Sequence, residues 1–177
     1  MFDNYYKARK YALNHSAFTR SNEIIEHALK VRGKWNMNSY SLSQEAILAR
    51  KKSYAPYSNF LVGAALLTKK GNLYHGCNIE NAGYTPTVCA ERTAFFKAVS
   101  EGEKDFLAIA VAGWLKDSTD ENQAFPCGVC RQVMREFCDP GTFKIIVVKG
   151  EAGGYTEHTL EELLPYGFGP ENLRISP

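Results

Sequence analysis

The sequence carries almost no net charge. Its lysines and arginines exceed its aspartates and glutamates by only +2, and no basic cluster stands out. A nucleic-acid groove or a polybasic membrane anchor needs a concentrated positive field, so neither partner is expected. Long apolar runs are missing too. None reaches the roughly 18 residues that a membrane span requires, and the first residues lack the apolar core of a secretory signal. Cysteine is scarce and odd in number, five in all, which does not make a disulfide framework; a reducing, cytoplasmic setting is expected. No internal repeat is visible. What is present is a chain of 177 residues, 45% hydrophobic, enough for one globular core that buries roughly 70% of its unfolded surface.

The few cysteines are not scattered. Cys89-Ala90-Glu91 is followed, after 34 residues, by Pro126-Cys127-Gly128-Val129-Cys130. Cys89, Cys127 and Cys130 offer three thiolates at zinc-ligand spacing. Three protein ligands leave one tetrahedral position of Zn²⁺ open, the arrangement of a catalytic site. Such an ion brings the pKa of a water to roughly 7. Glu91 then stands beside the metal without being forced onto it, free to move protons. Two plainer readings compete. A Cys-x-x-Cys pair can be a redox couple or half of a structural zinc site. A closed structural site needs a fourth ligand, for which Cys77, Cys138 and His75 are the candidates.

Residues 1–40 hold few aliphatics and form an extension of open role; within them Ser21 to Arg32 is expected as an amphipathic helix. A second helix is expected over Leu42 to Lys52. Phe60 to Thr68 reads as a strand, Lys69-Lys70-Gly71-Asn72 as a hairpin turn, and Leu73 to Ile79 as the return strand. Helices are expected over Cys89 to Ser100 and Gly128 to Cys138. Phe106 to Trp114 and Phe143 to Lys149 are apolar runs typical of strands buried on both faces. A strand near Tyr155 to His158 and a short helix, Leu160 to Leu164, close the core. Strands alternating with helices after one hairpin predict an α/β fold: a three-layer α/β/α sandwich around a mixed, roughly five-stranded sheet over 41–177.

Both ligand segments therefore open helices. Helix N-termini carry partial positive charge and free N–H groups, which favour thiolate over thiol. Three thiolates outweigh one Zn²⁺ by one negative charge, so an offset is needed. Arg92 is the candidate to donate hydrogen bonds to the sulfurs, against the plainer reading of an arginine on an exposed helix face. Glu91 also has a plainer reading, as an acidic residue placed for the helix dipole.

At this point the chain resembles the cytidine deaminases. Ala55-Pro56-Tyr57-Ser58-Asn59-Phe60-Leu61-Val62-Gly63-Ala64-Ala65 is similar to their N-terminal motif, and Gly76-Cys77-Asn78-Ile79-Glu80-Asn81-Ala82 to their nucleoside-binding motif. Cys89-Ala90-Glu91-Arg92-Thr93-Ala94 and Pro126-Cys127-Gly128-Val129-Cys130-Arg131-Gln132 resemble their zinc motifs, and Leu163-Leu164-Pro165-Tyr166-Gly167-Phe168 their C-terminal one. A His in place of the first Cys marks a wider set of zinc nucleobase deaminases; Cys in that place resembles the small homotetrameric branch.

The resemblance implies one Zn²⁺ per chain on Cys89, Cys127 and Cys130, with Glu91 as general acid and base. It implies Phe60 packed on the pyrimidine, Asn78 and Glu80 on the ribose hydroxyls, and the Ala90 N–H on the base carbonyl. Phe168 is expected to reach across a homotetramer into a neighbour's site. The implied activity is hydrolytic deamination of cytidine and deoxycytidine to uridine and deoxyuridine, in pyrimidine salvage. The alternatives are a deaminase of another cytosine nucleoside, such as blasticidin S, and a binding module built on a structural zinc. The Asn78/Glu80 pair argues against the first, and near-neutral charge against a nucleic-acid module. Two stretches depart from the family pattern: residues 1–40, and Tyr84 to Val88, where many relatives carry another Cys and Asn.

Overall fold

A computed structural model describes residues 37–118 and 123–173. The helix expected over Ser21 to Arg32 lies outside the described residues. The chain enters through Asn38, whose Oδ1 accepts from the Ser41 N–H at 2.8 Å and caps helix α1, Ser39–Arg50. That cap explains why α1 begins three residues before Leu42, where apolar spacing placed its start. Strands β1 (Phe60–Thr68) and β2 (Leu73–Cys77) follow, then α2 (Ala90–Ser100), β3 (Phe106–Leu115), α3 (Gly128–Phe137), β4 (Lys144–Lys149), β5 (Gly154–Thr159) and α4 (Leu160–Leu163).

The strands form one sheet in the order β2-β1-β3-β4-β5. β3 and β4 run parallel, and every other neighbouring pair is antiparallel. The sheet is therefore mixed and five-stranded, as the pattern of elements predicts. The β1–β2 turn closes at Gly71, whose φ of 90° suits glycine.

β2 stops at Cys77, two residues short of the expected Ile79. Asn78 ends it by substitution: its side-chain amide, not a main-chain group, accepts from the Val62 N–H at 2.9 Å and donates to the Phe60 carbonyl at 2.8 Å. Ile79 then pairs with Val88 and Tyr54 instead.

Alternation along the strands sorts the core into two layers. Ala64, Leu66, Ile109, Val111, Ile145 and Val147 face α2 and α3, where Phe95 and Met134 are fully buried. Ala65, Leu67, Ala108, Ala110, Ile146 and Val148 face α1, against Leu42, Ala46 and Ile47. Helices thus cover both faces, which is why β3 and β4 are apolar at successive positions. Phe95 stands edge-on to Phe106, with ring centroids 4.8 Å apart; truncating such a residue costs about 3–5 kcal/mol.

Candidate active site

Cys89 and Cys127 are the N-cap residues of α2 and α3, and neither side chain caps its helix. Their sulfurs are thus left for other use, while each helix start presents its unbonded N–H groups to the same place. Cys130 lies in the first turn of α3. The three sulfurs are 3.8 Å (Cys89–Cys127) and 3.4 Å (Cys127–Cys130) apart, and all lie within 4.8 Å of one another. Zn–S bonds of about 2.3 Å in a tetrahedron set sulfurs about 3.8 Å apart, so the cluster fits zinc.

Among the described residues it is the one group of three or more metal-ligating side chains, and the candidates for a fourth ligand are engaged elsewhere. His75 Nε2 meets Glu45 at 2.8 Å, the Cys77 thiol donates to the Lys52 carbonyl, and Cys138 is buried in the core beside α3.

The seat of α2 depends on one glycine. A Cβ on Gly76 would lie 2.2 Å from the Ala90 carbonyl oxygen and 2.5 Å from the Ala94 nitrogen. Only glycine lets β2 come this close to the turn that carries Glu91.

Arg92 turns back onto the cluster. Its Nη2 donates to the Cys89 sulfur at 3.7 Å and to the Thr87 carbonyl at 3.2 Å. The guanidinium thus puts a positive charge against the Cys89 sulfur. Cys89 is driven down to about 5, chiefly by a hydrogen bond from the Cys130 thiol and then, against burial, by Arg92 and Cys127. Cys130, buried and bonded to that thiolate, is shifted the other way.

Glu91 is buried, and desolvation pushes its carboxyl up to about 7. The nearby Cys89 charge adds to the rise; hydrogen bonds from its own N–H and the Cys130 thiol oppose it. A carboxyl near 7 is poised both to give and to take a proton at neutral pH.

The remaining expected contacts fall in two groups. Phe60, at the start of β1, lays its ring against Gly113 of β3, on the sheet face that α2 and α3 cover. Ala90 is fully buried in the first turn of α2, where main-chain N–H groups have no helical partner. Asn78 spends half of its amide on β1, which leaves one N–H and one lone pair free. Glu80 accepts from the Tyr57 and Ser58 N–H groups and from the Ser58 hydroxyl. Phe168 is different: its carbonyl is held by Gln132 at 2.9 Å, but the residue is 56% exposed.

Three supporting residues escape the sequence reading. Ser58 links Glu80 to β1. Arg131 joins the Pro126 carbonyl, just before Cys127, to that of Leu163. Arg50 is stacked on Trp114 at 3.9 Å and donates to the carbonyls of Leu61, Trp114 and Leu115. A motif could single out Ser58 and Arg131, which lie inside two of them; Arg50 has no local signal.

Fold and cluster together define a zinc-dependent hydrolase of the deaminase class. The sequence profile of the cytidine and deoxycytidylate deaminase zinc-binding region matches residues 37–147, and the chain belongs to that family. It is 47% identical over 137 residues to a cytidine deaminase of Sporosarcina psychrophila, covering 77% of this chain and 96% of that one. To a cytidine deaminase of Halalkalibacterium halodurans it is 49% identical over 137 residues, covering 77% and 98%. Among solved structures it is similar to the cytidine deaminase of Burkholderia pseudomallei, with a TM-score of 0.67 and 44% identity over 75% of this chain and all of that one. No helix among the described residues is long and apolar enough to cross a membrane.

Proposed function

We propose that this chain hydrolyses cytidine and deoxycytidine to uridine and deoxyuridine with release of ammonia, as a step of pyrimidine salvage in the cytoplasm. The observation that carries the reading is the pairing of an open three-cysteine cluster with one buried carboxyl held near 7. Cys89, Cys127 and Cys130 would hold one zinc, which would supply a water ionised near neutral pH.

Glu91 moves the protons. It takes one from the attacking water and gives it to N3 as the C4–O bond forms and C4 becomes tetrahedral. It then takes the proton of the new C4 hydroxyl and gives it to the amine, so that ammonia leaves as the C4–N bond breaks and the C4 carbonyl forms. Burial keeps bulk water from short-circuiting those transfers. The Ala90 N–H donates to the base carbonyl, and Phe60 packs on the ring. Asn78, through its free N–H and lone pair, and Glu80, through its remaining acceptor sites, hold the sugar hydroxyls. Arg92 limits the negative charge of the three sulfurs.

We further propose a homotetramer in which Phe168 of one copy stacks on the base in a neighbour's site. Its exposure, on a loop pinned by Gln132, supports that role. Incubating the protein with cytidine, deoxycytidine and a cytosine-containing oligonucleotide, while following the cytosine absorbance, tests the function. Loss of absorbance with both nucleosides and none with the oligonucleotide is expected. Action on the oligonucleotide, or on no substrate, rejects the reading.

A further inference from the structure

Two of the residues proposed to touch the nucleoside share one hydroxyl. Ser58 Oγ donates to Glu80 Oε1 at 2.5 Å and accepts from the Phe60 N–H at 3.0 Å. On the other carboxylate oxygen, Glu80 Oε2 accepts from the Tyr57 N–H at 2.8 Å and the Ser58 N–H at 3.3 Å. Between Ser58 and Phe60 the chain passes through Asn59 at φ 54°, a left-handed turn that asparagine tolerates better than most residues. The base of this loop is fixed independently, because Tyr54 donates to the Asn78 carbonyl and Glu80 donates to the Tyr54 carbonyl. The Ser58 side chain is therefore not what anchors the base of the loop. It sets what the loop tip presents.

We propose that Ser58 is a positioning residue for nucleoside recognition: its hydroxyl fixes the rotamer of the Glu80 carboxylate and ties it to the entry of β1 at Phe60. This rests on the reading of Phe60 and Glu80 as nucleoside contacts. A carboxylate has about four lone-pair directions. Three donor groups occupy its loop side here, so the free direction left for a sugar hydroxyl is set by those three. The same hydrogen bonds keep Glu80 below the usual carboxylate range, with the Ser58 hydroxyl the largest cause, so it stays an acceptor. Ser58 itself need not touch the substrate.

The test compares wild type, Ser58→Ala and Ser58→Thr on cytidine and on 2′,3′-dideoxycytidine, which lacks both sugar hydroxyls that Glu80 could hold. Ser58→Ala is expected to raise KM for cytidine about tenfold, the size of one lost hydrogen bond to a charged group. Its kcat should stay within about twofold, as for lost ground-state binding. The KM for dideoxycytidine should move much less. Ser58→Thr keeps the hydroxyl and should recover most of the wild-type KM, and all three proteins should melt at similar temperatures.

Unchanged KM in Ser58→Ala overturns the proposal. So does an equal rise for both nucleosides, or equal loss in the Ala and Thr variants, since either would place the effect in loop packing. Wild-type protein inactive on cytidine would reject the functional reading and this inference with it; active wild type with an indifferent Ser58→Ala rejects this inference alone.

Discussion

Glu91 is 4% exposed and Phe168 56%, although both are proposed to serve the same reaction. Around Glu91 everything is local and closed. Two helix starts, one glycine contact and a returning arginine fix the cysteines from within a single chain. Around Phe168 everything is open. Tyr166, two residues before it, is fully exposed at a left-handed φ of 59°. In the proposed reading, a single chain builds the chemistry from its own core, and the cover over the substrate comes from a neighbouring copy. Catalysis and substrate retention should therefore respond to different substitutions.

The sharpest break is at the buried end. Glu91→Gln keeps the shape and removes proton transfer. A general acid–base group contributes about 10²–10⁴-fold, so turnover should nearly vanish while zinc stays bound. A variant that keeps a tenth or more of wild-type activity would mean that Glu91 is not the shuttle. Next comes the metal. X-ray absorption at the zinc edge should show three sulfurs and one light ligand. Four sulfurs would mean that Cys77 or Cys138 closes the site, and the catalytic reading would have to go.

Gly76→Ala attacks the same end through packing. Its Cβ meets main-chain atoms that cannot swing aside, so stability should fall by about 1–3 kcal/mol, with activity lost in step as α2 shifts. An unchanged melting temperature would show that β2 and α2 can separate at no cost.

At the open rim the effects should be of another kind. Phe168→Ala should raise KM by the equivalent of roughly 1–3 kcal/mol of stacking, with zinc content and melting temperature intact. Mixed assemblies of Phe168→Ala and Glu91→Gln subunits should regain some sites of normal affinity. A monomer by light scattering, or no such recovery, removes the role in a neighbour's site. The smallest effect is expected from deleting residues 1–36. A chain that starts at Met37 should fold and deaminate, and insolubility of that truncation would assign the extension a place in the core or the assembly.

The cysteine spacing and the strand patterns were legible because each is a local rule. Cys-x-x-Cys at a helix start and apolar runs between turns can be read without knowing the fold. The end of β2 was not legible, since nothing in the order of residues says that the Asn78 amide will stand in for a main-chain partner. Arg50, Arg131 and the loop-side bonds of Glu80 were hidden for a related reason. Each joins a side chain to atoms 5 to 65 residues away, most of them main-chain groups that every residue carries. Such contacts leave no periodicity. The motif that holds Asn78 and Glu80 could not show that both lie past the end of β2, Asn78 bonded to β1 and Glu80 to the loop before it.

Cys89 and Cys127 are 38 residues apart, and the cluster joins them around the whole of α2 and β3. A metal that binds there recognises the folded arrangement and not the open chain, so its binding energy is added to that of folding. By mass action the added stability grows as the logarithm of free zinc above the dissociation constant. The melting temperature of this protein is then no fixed number but a reading of the zinc supply around it, and a shortage would remove the fold's reserve together with its activity.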